Sequence, residues 1–150
     1  MNPAPALRSA LLAALGALPL AAQGPLACAT RDLPAHPFAA HGLTLTLQSL
    51  SGYRAFDRER KFSGRARVAF TVENKGPGFQ RFDPQDLAFV GKDGLQVFPV
   101  FERNLADDTQ PRALRFAPGA RATLEYALSG RLAFPAKIYV GEALVAEVTE

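Results

Sequence analysis

Leu87-Ala88-Phe89-Val90-Gly91-Lys92-Asp93-Gly94-Leu95-Gln96-Val97-Phe98 (LAFVGKDGLQVF) is the stretch whose reading decides the fold. Two apolar runs flank a short segment ending in Asp-Gly, where Gly takes positive φ at no steric cost and Asp bonds back onto the turn. That pattern predicts an antiparallel hairpin. Beyond it, Val97, Phe98, Val100 and Phe101 present apolar side chains to both faces, so the chain here is covered on each side or crosses between sheets. Pro99 removes a ladder donor and asks for an edge or a bulge.

Working outward, the same two-residue period recurs. Leu43, Leu45 and Leu47 alternate with Thr44, Thr46 and Gln48, and Val68, Phe70 and Val72 alternate with Arg67, Ala69 and Thr71. Each set puts an apolar face on one side of a strand and a wet face on the other. Asn74-Lys75-Gly76-Pro77-Gly78 ends the second of these strands, with glycines that can take positive φ. Downstream, Ala117-Pro118-Gly119-Ala120 fits a turn with φ negative at Pro and positive at Gly. Ala122, Leu124, Tyr126 and Leu128 then form a half-buried strand, and Phe134, Ile138 and Val140 lead through Gly141-Glu142 to Leu144–Val148. Short strands near ten-residue spacing, with no amphipathic helix between them, predict an all-β, immunoglobulin-like antiparallel β-sandwich of about seven strands over residues 42–150.

Residues 1–29 have the layout of an export signal: Arg8, then an apolar run from Ala10 to Ala22, then small residues. The run holds Gly16 and Pro19 and is shorter than the roughly 20 residues that span a bilayer. Ala27-Cys28-Ala29 supplies a cleavage site after Ala29; alternatively, Pro25-Leu26-Ala27-Cys28 is a degenerate lipoprotein signal that makes Cys28 the acylated first residue. The expected location is therefore periplasmic or secreted, with a membrane tether only if Cys28 is lipidated. Residues 30–41 (TRDLPAHPFAAH), with two prolines and no period, read as a flexible lead-in.

Without Arg8 the chain carries 16 basic and 14 acidic side chains, a balance of +2 that does not call for nucleic acid.

The stretch from Val68 to Val148 resembles small secreted bacterial domains of unknown function with a telokin-like, immunoglobulin-like fold. The residues that carry the likeness are VAFTVENKG with Asn74 and Gly76, LAFVGKDG with Asp93 and Gly94, the Pro118-Gly119 turn, Phe134-Pro135 and the closing pair of apolar strands. The resemblance implies an interaction or envelope-associated module.

Candidate chemistry is sparse. His36 and His41, with Asp32 nearby, fall short of the three or four well-spaced ligands of a zinc site, so no metal and no cofactor is expected. No G-x-S-x-G elbow is present and no catalytic residue is assigned. Asp83, Asp86, Asp93, Glu102, Asp107 and Asp108 could supply paired carboxylates for a small envelope-polymer hydrolase, but their setting is that of turns and loops.

The distinctive stretch is YRAFDRERKFSGRAR. Here Arg54, Arg58, Arg60, Lys61, Arg65 and Arg67 interleave with Tyr53, Phe56 and Phe62. Basic and aromatic side chains together suit an anionic polymer or an acidic protein surface, through charge-assisted hydrogen bonds and stacking. The same run, part-neutralised by Asp57 and Glu59, also suits a solvated loop. The expected function is a non-enzymatic binding module of the cell envelope or extracellular space. The alternative is a structural or assembly protein that pairs through a sheet edge, with Leu43–Gln48 the suitable strand.

Overall fold

The computed structural model describes residues 24–53, 64–104 and 107–150. The described residues form an all-β molecule with several antiparallel sheets, no α-helix and no closed barrel. The strands are β1 (Leu26–Ala29), β2 (Phe38–Ala40), β3 (Leu43–Ser51), β4 (Arg67–Glu73), β5 (Gln80–Phe82), β6 (Leu87–Val90), β7 (Gln96–Val97), β8 (Pro99–Asn104), β9 (Asp107–Thr109), β10 (Leu114–Phe116), β11 (Arg121–Leu128), β12 (Ala136–Val140) and β13 (Ala143–Thr149). One sheet has the order β1-β13-β12-β6-β7, another β2-β3-β4-β11-β8-β9, and β5 pairs with β10 apart from both. Thirteen strand segments thus stand among the described residues where about seven were expected. The surplus comes mainly from pieces of two to four residues, too short to show a period in the sequence.

The hairpin forms as the sequence predicts. Phe89 pairs with Val97 and Val90 with Gln96. Gly94 takes φ of 78°, its N–H donates to the Gly91 carbonyl, and the Leu95 N–H donates to Asp93 Oδ1. Immediately afterwards the chain changes sheets: β7 belongs to the five-stranded sheet and β8 to the six-stranded one. This explains the apolar residues on both faces around Phe98. Pro99 stands opposite Leu128 at the start of β8, a position where a missing donor is tolerated.

The two larger sheets share one core. Leu45, Leu47 and Phe70 from one and Phe89, Ile138 and Val148 from the other are essentially fully buried in a single cluster. Ala69 and Thr71, expected on a wet face, are buried as well. β4 is flanked by β3 and β11, and the Thr71 hydroxyl meets that of Thr123 at 3.2 Å across the ladder.

The turns divide into those set by glycine and those set by a side chain. Gly119 has φ of 76° and the Ala120 N–H donates to the Ala117 carbonyl, as the Pro-Gly turn requires. Gly76 and Gly78, in contrast, do not take positive φ. Their turn is held by the Asn74 carboxamide, which accepts from the Gly76 N–H and donates to the Gly78 carbonyl.

The stretch 30–41, read as a flexible lead-in, carries a 3-10 turn at Thr30–Asp32 and then β2. His41 and Gly42, at φ of 51° and 76°, make a two-residue hairpin that lays β2 on β3. Leu43–Gln48 is therefore not the open edge expected for assembly: β4 lines one side, and β2 with the Ala35 N–H to Leu47 carbonyl bond occupies the other.

Candidate functional site

At one end of the molecule a cleft of about 1050 Å³ opens between the end of β3, the β6–β7 hairpin and the loop from Ser129 to Phe134. Backbone bonds fix these three pieces to one another. The Leu132 N–H donates to the Gly52 carbonyl, the Lys92 N–H to the Ala133 carbonyl, and the Ala66 N–H to the Gly130 carbonyl. Close approach is possible because of glycine. A Cβ on Gly52 would collide with the Leu132 carbonyl oxygen, and one on Gly91 would meet Asp93 Oδ1 at 2.7 Å.

Tyr53 stands on the wall of this cleft and is about half exposed. The Arg131 guanidinium lies over its ring, 4.3 Å from the centroid. Gly64 packs near the same ring, since a Cβ there would come within 2.7 Å of Tyr53 Cε2. Residues 53 and 64 are thus brought together beside the cleft. Lys92 and Arg131 supply the cleft's basic side chains, Asp93 and Glu150 its acidic ones, and Leu95 and Phe134 its apolar surface. The Asp93 carboxylate is already engaged with the Leu95 N–H.

Of the binding residues expected from the sequence, Tyr53 lines the cleft. Arg65 and Arg67 follow Gly64 on the way into and within β4, and Arg67 Nη1 lies 3.6 Å from Glu125 on β11. Arg54, Arg58, Arg60 and Lys61 lie outside the described residues, as do Phe56 and Phe62. Sequence reasoning missed Arg131 and Lys92. Lys92 lies in the predicted hairpin turn and carries a visible charge, but nothing in the sequence points Arg131 at an aromatic ring.

The other candidates are spread over the molecule. Cys28 lies on β1, half-buried, with its thiol pushed up by burial and then by the Asp32 carboxylate. His41 Nδ1 is 4.0 Å from Asp86 at the β2–β3 turn. The Asp83 carboxylate accepts from Arg81 and from the Gln85 N–H, capping a 3-10 turn. Among the described residues no three His, Cys, Asp or Glu side chains gather in a metal-binding group.

No family model matches the chain, and no curated protein does. Among solved structures, the yjhA protein from Bacillus subtilis is similar over 70% of this chain and 77% of its own, at 14% identity and a TM-score of 0.47.

Proposed function

We propose that the chain is an exported, non-enzymatic binding module with an immunoglobulin-like β-sandwich fold, and that it takes an anionic polymer of the cell envelope or extracellular space at the cleft beside Tyr53. The carrying observation is the Arg131 guanidinium stacked on Tyr53 at 4.3 Å in the cleft, with the segment 54–63 following Tyr53 in the sequence. That segment holds Arg54, Arg58, Arg60 and Lys61 against Asp57 and Glu59. A planar cation held on an aromatic face keeps its outward N–H donors in fixed positions, which suits carboxylate or phosphate oxygens. Support for the sandwich comes from the two larger sheets sharing one core and from the chain's passage between them at Phe98.

The test is retention on immobilised alginate at low salt. Replacing Arg58, Arg60 and Lys61 with Ala abolishes retention with the thermal midpoint nearly unchanged. Arg131→Ala weakens it by about 1 kcal/mol, roughly fivefold, the scale of one exposed charge-assisted contact on an aromatic ring. Retention also falls as salt rises, because exposed charges are screened. Unaltered retention in the triple variant overturns the reading. Retention on an acidic protein column alone would transfer the site to a protein partner.

A further inference from the structure

β1 lies within the stretch that cleavage after Ala29 would discard. It pairs in parallel with β13, Leu26 opposite Ala146 and Cys28 opposite Val148. Ala146 and Val148 are fully buried, and Leu26 and Cys28 pack against the same core. The Thr149 hydroxyl also donates to the Cys28 carbonyl at 3.5 Å. Removing β1 would take two apolar side chains off the core and leave a row of β13 backbone groups without ladder partners.

We propose that the mature chain keeps β1, the cut falling upstream of Leu26, and that Cys28 remains in it as an unmodified thiol. This rests on the export reading given above. It departs from both processing sites expected from the sequence, for one reason. A cut before Cys28 removes Leu26 and Ala27 from the β13 ladder, and an acyl chain on Sγ would have to leave the core contact that Cys28 makes.

The experiment uses the full chain from Met1, expressed in an export-competent bacterium, fractionated, and examined by intact mass and N-terminal sequencing. The expected exported species is shortened and begins no later than Leu26, with one thiol titratable after denaturation. An exported chain that begins at Thr30, or at an acylated Cys28 in the membrane fraction, overturns the proposal and leaves export standing. An uncut chain in the cytosol overturns the export reading and the proposal with it. As a second variant, Ala29→Leu places a bulky side chain where the alternative cut would fall. It leaves the start where the unsubstituted chain has it, whereas accumulation of uncut precursor overturns the proposal.

Discussion

The Asn74 side chain is fully buried and yet satisfied on every side. Its amide nitrogen donates to the carbonyls of Gly78, Phe116 and Ala117 at 2.7, 3.1 and 3.1 Å, and its oxygen accepts from the Gly76 N–H at 3.0 Å. Its backbone joins the same network, donating to the Ala120 carbonyl and accepting from the Gly119 N–H. One residue thereby closes the turn after β4 and locks it to the turn before β11. Asn74→Ala takes a partner from the Gly78 and Phe116 carbonyls and from the Gly76 N–H, while the Ala117 carbonyl keeps its bond from the Ala120 N–H; each buried group left unpaired costs about 1–3 kcal/mol. Urea unfolding followed by circular dichroism should show a loss of about 2–4 kcal/mol. A change under 0.5 kcal/mol would mean that water replaces the carboxamide. The sequence marks Asn74 as a strand-ending turn residue, but the three carbonyls it serves are brought to it by tertiary structure.

At the scale of elements, legibility follows sequence distance. The β6–β7 hairpin and the Pro118-Gly119 turn are specified by neighbours a few residues apart, and both are plain in the sequence. β1 is a short LACA segment whose partner β13 lies at the far end of the chain, and β2 is FAA; neither is long enough to show a period. Two glycines separate the physical roles that sequence alone merges. Gly94 has positive φ and open space around its Cα, so Gly94→Ala costs only the backbone term, about 1 kcal/mol. Gly52 has an unstrained φ but backbone oxygen where a Cβ would sit. Gly52→Ala must push the Leu132 loop away, costing about 1–3 kcal/mol in stability and disturbing alginate retention, which Gly94→Ala leaves intact. Equal effects of the two substitutions on both measurements would refute this division of roles.

For the whole molecule, the shared core predicts a single unfolding event. Side chains from both larger sheets meet in one cluster, and β7 and β8 tie the sheets together through one peptide stretch. Transitions followed by far-ultraviolet and near-ultraviolet circular dichroism should coincide in urea; separated midpoints would show that the sheets unfold independently. The all-β class was legible because alternation persists in the long strands β3, β4 and β11, which hold much of the core. The candidate site was only half legible. Tyr53 stands out in a basic, aromatic run, while Arg131 reaches it because backbone bonds such as Leu132 N–H to the Gly52 carbonyl bring two distant stretches together.

Tyr53, wedged between Gly64 and Arg131, also has a consequence for how this scaffold can change. Tyr53 and Gly64 meet at one point on the body formed by the two larger sheets, so the distance between these two positions is set by that body. The entropic cost of closing a chain across two fixed ends grows slowly with its length, by about 0.6 kcal/mol for each doubling. New recognition sequences grafted between residues 53 and 64 should therefore leave the sheets beneath unchanged.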